Sequence, residues 1–151
     1  MAETFARTDP TPEIVRKLAS PETGTLLPVR VVKKALSFTG TANGSLVSWQ
    51  NPNDVAVIAA IAVDVSTAGT GTAGVDIGVG TLGGSGDNLL DAGRVDTVAV
   101  VSPFGTGAGA NGRPWRKLTA KGGTLDYITG KANDLDATAA GAAYIIYIPL
   151  V

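Results

Sequence analysis

Asp54-Val-Ala-Val-Ile-Ala-Ala-Ile-Ala-Val-Asp64-Val-Ser66 is the stretch on which the fold turns. Taken two residues at a time, Val55, Val57, Ala59, Ile61, Val63 and Val65 form one unbroken apolar face. Asp54, Ala56, Ile58, Ala60, Ala62 and Asp64 form the other, small in the middle and charged at both ends. Side chains of a strand point alternately to opposite faces, so this pattern describes a long strand with one face in a core. Alanine also favours helices, which is the competing reading. The β-branched residues at the odd positions and the flanking aspartates favour the strand. The small second face suits close approach by another layer or another subunit.

The rest of the composition agrees with a β protein. Of 151 residues, 20 are Gly and only 17% are charged. Ten of the thirteen acids are Asp, and the three Glu (Glu3, Glu13, Glu22) all lie near the N-terminus. Glu favours helices and Asp favours turns, so the chain beyond residue 28 reads as strands joined by Gly, Asp and Asn turns. A chain of this length makes one domain with a sizeable core.

Residues 1–28 differ from that body. They hold four of the eight prolines and a mixed charge. Thr11-Pro12 marks a helix start, with Thr as N-cap and Pro at the first helical position. The helix would run from Pro12 to about Ala19 and set Ile14, Val15 and Leu18 on one side. Two turns are marginal alone in water, so it needs a surface to lie on. A frayed tail is the plainer reading of this segment. Phe5, Leu26 and Leu27, with the helix cluster, favour a docking arm.

Along the body, Val29 to Phe38 reads as an edge strand guarded by Lys33 and Lys34. Asn43-Gly44 reads as a tight hairpin turn leading to Leu46, Val47 and Trp49. After the long strand, Val75, Ile77 and Val79 alternate with Asp76 and Gly78. Asp87 to Arg94 has room for one helical turn, and Val95 to Val101 reads as a strand. Thr124 to Thr129 alternates, and the closing segment Ala142 to Pro149 is apolar on both faces. Such a strand sits centrally in a sheet or under a partner. The expectation is an all-β single domain, a β-sandwich or jelly-roll-like body of about eight strands over residues 29–151, preceded by the arm.

Little chemistry is on offer. Histidine and cysteine are both absent, which removes Ser-His-Asp and Cys-His nucleophiles, disulfides, and imidazole or thiolate metal sites. The spacing G-x-G-x-x-G occurs at Gly69/Gly71/Gly74, Gly78/Gly80/Gly83 and Gly107/Gly109/Gly112. None leads into a helix that could face a pyrophosphate, so loop composition accounts for them. Asp87, Asn88 and Asp91, or Asn133, Asp134 and Asp136, offer oxygen ligands for Ca²⁺, but neither completes a calcium loop. Arg113, Arg116, Lys117 and Lys121 surround Trp115 as in single-strand nucleic-acid grooves, yet net charge is −1. A solvated face or a contact to an acidic protein surface suits them better. No apolar run reaches the roughly 20 residues of a membrane span, and no signal-peptide pattern is present. The reading is of a protein without enzymatic activity, cofactor or membrane partner.

Taken together, Arg30-Val-Val-Lys-Lys34, Val47-Ser-Trp49, Ala62-Val-Asp-Val65, Asp76-Ile-Gly-Val79 and Tyr144-Ile-Ile-Tyr-Ile-Pro149 give a body that resembles small virion proteins of tailed bacteriophages, the head decoration, cement or head-fibre proteins. The resemblance implies a structural protein, commonly a homo-trimer, made in the host cytoplasm and bound to the major capsid protein on the outer capsid surface. It implies a capsid-binding arm carrying Phe5, Ile14, Val15, Leu18, Leu26 and Leu27. Ala56, Ile58, Ala60, Ala62, Tyr144 and Tyr147 are then the candidates for a subunit interface. Another virion part (tail, neck or fibre) and a carbohydrate-binding β-sandwich are the alternatives.

Overall fold

The computed structural model describes residues 28–70, 74–84, 86–104, 109–134, 136 and 138–151. The arm, with its expected helix, therefore lies outside the described residues except for Pro28. Nine strands and no helix occur among those described: β1 (Arg30–Ala35), β2 (Val47–Gln50), β3 (Val57–Thr67), β4 (Gly74–Gly80), β5 (Leu90–Arg94), β6 (Val100–Val101), β7 (Arg116–Leu118), β8 (Tyr127–Ala132) and β9 (Ala140–Pro149). They form two antiparallel sheets in a sandwich-like arrangement. Sheet A has the order β1-β9-β3-β6, with β7 also on β3, and sheet B has the order β2-β8-β4-β5.

The pairings are nested. β1 pairs with β9, β2 with β8, β3 with β6 and β7, and β4 with β5. Two further ladders, β3–β9 and β4–β8, curl that long ribbon into its two sheets. The chain's middle and its C-terminal strand are thus neighbours at the centre of sheet A.

Alternation explains the core. Val57, Ala59, Ile61, Val63 and Val65 are all fully buried, as the period of two requires. Ala143, Ile145 and Tyr147 of β9 lie beside them. Sheet B contributes Val75, Ile77, Val79, Ile128, Val47 and Trp49 from across the interior. Trp49 and Tyr147 join the sheets, with ring centroids 5.0 Å apart and planes tilted by 46°. Gly130 leaves room for this packing, since a Cβ there would sit 2.9 Å from Ile77 Cγ1 and 3.0 Å from Val47 Cγ1.

Side-chain hubs tie down the connections. Fully buried Asn51 donates to Val55 O (2.9 Å) and Thr119 O (2.8 Å), and its Oδ1 accepts from Asn53 N (3.0 Å) and Nδ2 (2.8 Å). Every hydrogen-bonding position of that amide is used. Asp126 accepts from Gln50 Nε2 (2.7 Å) and Gly122 N (2.8 Å). Asp136 accepts from Thr138 Oγ1 (2.6 Å) and Thr138 N (3.0 Å), and also from Thr70 N.

Several local expectations are corrected. Residues 90–94 form β5 rather than a helical turn, because Leu89 and Leu90 are both drawn into the core. Asn88 prepares the strand by bracketing β4: its Oδ1 accepts from Val79 N (2.9 Å) and its Nδ2 donates to Val79 O (3.1 Å). The strand expected over 95–101 shrinks to Val100–Val101. Val95 is buried, and residues 96–99 are bends rather than a regular ladder, although Val95 O and Ala99 O still accept from Gly69 N and Val65 N (both 2.9 Å). Asn43-Gly44 does make a turn, with Ser45 N donating to Ala42 O (3.0 Å). Only Gly44 has positive φ (79°), however, whereas a two-residue type I′ hairpin needs it at both central positions. The flanking strands accordingly part, β1 to sheet A and β2 to sheet B.

Two measurements check this account. Gly130→Val should lower unfolding free energy by roughly 1–3 kcal/mol through overpacking, read by denaturant melts. The second concerns acid. The Gln50 hydrogen bond holds the Asp126 carboxyl below the usual range, and the Thr138 hydrogen bond does the same for Asp136, each against the opposing effect of desolvation. Unfolded aspartates ionise near pH 4, so the stabilisation is complete above about that pH and fades as pH falls toward the lower folded values. Asp126→Asn and Asp136→Asn should each lower Tm at pH 7 and flatten its decline between about pH 5 and pH 2.

Candidate functional site

The outer face of sheet A is the feature that sets this molecule apart from an ordinary sandwich. A sheet with one face on a core usually carries polar residues on the other. Sheet B obeys the rule: Ser48, Gln50, Asp76, Tyr127 and Lys131 alternate with its core residues, and Lys131 reaches Asp76 at 3.8 Å. Sheet A does not.

Cross-strand register lays its outer residues out in rows. Val31, Ile146 and Ala60 make one row across β1, β9 and β3. The next toward the C-terminal end of β3 is Lys33, Tyr144 and Ala62. Beyond it come Ala35, Ala142, Asp64 and, on β6, Val100. On the other side, Ile148 and Ile58 meet Lys117 of β7. Charge appears only around the margin, at Lys33, Asp64 and Lys117. The Lys33 ammonium lies 5.5 Å from the centre of the Tyr144 ring, a cation–π contact that lets a lysine share an apolar surface.

An aromatic pair completes the fourth strand position. β6 and β7 approach along the same edge of β3 from opposite ends, one at Val63 and Asp64, the other at Val57 to Ala59. Carried onward, the two registers converge opposite Ala60, with Phe104 and Trp115 at the converging ends. Their rings meet at 5.8 Å in an edge-to-face arrangement of 76°. Both are well exposed, Phe104 at 54% and Trp115 at 43%, as are Val31 at 60% and Val100 at 68%. Ala60, in the middle of these rows, is fully buried. The whole face spans about 19 Å across four strand positions and about 27 Å along them, near 500 Å².

The sequence-derived residues sort as follows. Ala56, Ile58, Ala60, Ala62 and Tyr144 share this face. Tyr147 does not: it pairs with Ala59 on the inner side and is only 4% exposed, against Trp49. Phe5, Ile14, Val15, Leu18, Leu26 and Leu27 lie outside the described residues. Val31, Val100, Phe104 and Trp115 belong to the face although nothing in the sequence groups them. Only the register of separate ladders brings them together.

The other candidate clusters are occupied with holding loops. Asp87 accepts from Asn111 Nδ2 (2.9 Å), Asp91 from Asn111 N (3.0 Å), and Asn88 is spent on Val79. Among the described residues no group of three or more acids is placed to hold a metal ion. Gly78 and Gly80 lie inside β4 rather than before a helix, and a Cβ on Gly78 would come within 2.6 Å of the Gly86 backbone. The basic segment disperses. Arg116 Nε donates to Asn88 O (2.9 Å), Arg113 Nη1 to Gly112 O (2.8 Å), and Lys117 alone joins the apolar face.

No protein-family model matches the chain, and no curated protein matches it. Two solved chains are similar in their overall course. One belongs to an acidic stable capsid structure of Helicobacter pylori bacteriophage KHP30: it is 12% identical, with a TM-score of 0.45 over 82% of this chain and 90% of that one. The other belongs to the capsid asymmetric unit of cyanophage Pam1, at 17% identity and a TM-score of 0.48, over 88% of this chain and 92% of that one.

Neighbouring residues of β9 test the assignment of faces. Ile145→Ala should cost about 2–5 kcal/mol, as a cavity in the core does. Ile146→Thr, on the outer face, should change stability by less than about 1 kcal/mol while lowering the binding of a hydrophobic dye.

Proposed function

We propose that this chain is a structural virion protein that binds the outer surface of a phage capsid, through the major capsid protein, and braces the shell without catalysing any reaction. The observation that carries this reading is the pairing of a closed β body with a whole sheet face left apolar. Asn51, Asp87, Asp91, Asp126 and Asp136 are committed to holding loops, and its reach toward partners lies in surfaces and in the arm. The nested ladders support a further step, that the sandwich is a jelly roll. Pairing first with last, second with next-to-last and so inward is what results when one long hairpin is rolled into two sheets, the architecture of many capsid and lectin domains.

In this reading residues 1–28 are the lattice-binding segment, with Phe5, Ile14, Val15, Leu18, Leu26 and Leu27 as its apolar contacts. An arm that orders on binding can wrap a large surface, at the expense of the entropy lost in ordering it. Capsid lattices compensate by valency: many identical sites hold many copies, and a homo-trimer engages three arms at once. The trimer and the outer-surface location are what the resemblance to decoration proteins implies.

Deleting residues 2–28 should abolish binding to bare capsids, by at least tenfold in apparent affinity, and leave the Tm of the body close to that of the full chain. Cosedimentation with capsids and thermal melts measure the two. Full occupancy by the truncated protein would exclude the arm's role, and absence of binding by the full chain to any shell would exclude the function.

A further inference from the structure

We infer that Asn43 is a site of spontaneous covalent modification, at which the side-chain amide is converted to an acid by the chain's own backbone. The inference is independent of the proposed function and rests on a comparison internal to the molecule. The tripeptide Ala-Asn-Gly occurs twice, as Ala42-Asn43-Gly44 and as Ala110-Asn111-Gly112. An asparagine followed by glycine is open to attack by the next main-chain nitrogen, because no Cβ crowds that nitrogen and the glycine backbone turns freely. With the tripeptide the same in both places, the fold decides which copy reacts.

The two copies are held differently. Asn43 is exposed at the corner between β1 and β2, where Gly44 takes a φ of 79°. The bonds that span this corner run through Ser45, whose N donates to Ala42 O (3.0 Å) and whose Oγ donates to Gly40 O (2.7 Å). Buried Phe38 and Leu46 anchor the connection on either side, so the corner can open without disturbing the core. Asn111 is exposed too, but it is clamped. Its N donates to Asp91 Oδ2 (3.0 Å) and its Nδ2 to Asp87 Oδ2 (2.9 Å). Gly112 is buried, Arg113 Nη1 donates to Gly112 O (2.8 Å), and Arg113 N donates to Asn88 O (3.1 Å). The group that would leave and the peptide that would attack are thus both fixed there.

At Asn43, Gly44 N gives its proton to water and bonds to Asn43 Cγ. The Cγ–Nδ2 bond breaks, and the amide nitrogen departs as ammonia. Water then opens the resulting five-membered imide. Attack at Cγ leaves aspartate; attack at the main-chain carbonyl leaves isoaspartate, with the backbone routed through the side chain. Either product makes the chain one charge more negative than its present −1.

The test incubates the full chain at pH 8, separates acidic products by ion exchange and locates them by peptide mass spectrometry, with isoaspartate read by enzymatic methylation. In the folded protein Asn43 should react at least tenfold faster than Asn111, since a clamped site reacts only when it opens locally. In concentrated urea the two rates should agree within about threefold, because the clamp is gone and the tripeptides are the same. The double variant Asp87→Ala, Asp91→Ala should raise the Asn111 rate at least fivefold and leave the Asn43 rate unchanged. Asn43→Ser should remove the first acidic species to form. Equal rates at the two sites in the folded protein overturn the inference, as does a faster Asn111. It also fails if folded Asn43 stays intact over the time in which the urea sample converts. A rate difference that persists undiminished in urea assigns the contrast to the flanking residues rather than the fold, and overturns it as well.

Discussion

The ladder between β3 and β9 governs most of the molecule. It runs from Val57 opposite Pro149 to Thr67 opposite Ala140, and it joins strands far apart in the chain. On its inner side it lines up Ala59 with Tyr147, Ile61 with Ile145 and Val63 with Ala143, which is the floor of the core. On its outer side it lines up Ile58 with Ile148, Ala60 with Ile146 and Ala62 with Tyr144, which is the middle of the open face. A slip of one residue would exchange the two sets, so the same constraint fixes the core and the surface together. Closing so distant a pair costs chain entropy before any contact rewards it, and the buried β-branched pairs offset that cost.

Periodicity is why the central strand was legible. An alternation of five buried residues over β3 leaves little choice of conformation, and a closing segment apolar on both faces belongs in the middle of a sheet, where β9 is found. Composition likewise gave the β class, because the acids of the body are all Asp, a turn former, and its 19 glycines supply loops. What periodicity does not contain is which sheet a strand joins. Asn43-Gly44 looks like a hairpin locally, yet its strands are claimed by β9 and β8. The 87–94 segment was ambiguous for the same reason: Leu89 and Leu90 are pulled inward by a core that only the assembled sheets provide.

The candidate surface was half legible. Ala56, Ile58, Ala60 and Ala62 follow from one strand's parity, and Tyr144 from another's. Tyr147 was misplaced because β9 is apolar on both sides, so parity separates its faces without saying which is inner. Val31, Phe104, Trp115 and Val100 sit in segments whose only relation is a shared row across strands, and rows are created by pairing.

The contrast between the two sheets is the strongest physical statement the fold makes. Sheet B meets solvent with Ser48, Gln50, Lys131 and Asp76, and one of its loops returns so that Thr129 Oγ1 donates to Gly84 O at 2.8 Å. Sheet A turns Val31, Ile58, Ile146 and Ile148 the same outward way, under the same sequence constraints and in the same small domain. Exposed apolar area confers nothing on a monomer's stability and favours aggregation. One sheet follows the polar rule and its neighbour departs from it across four adjacent strand positions, the kind of contiguous apolar patch at which contacts form. On β1, the edge strand of sheet A, Lys33 and Lys34 discourage indiscriminate pairing.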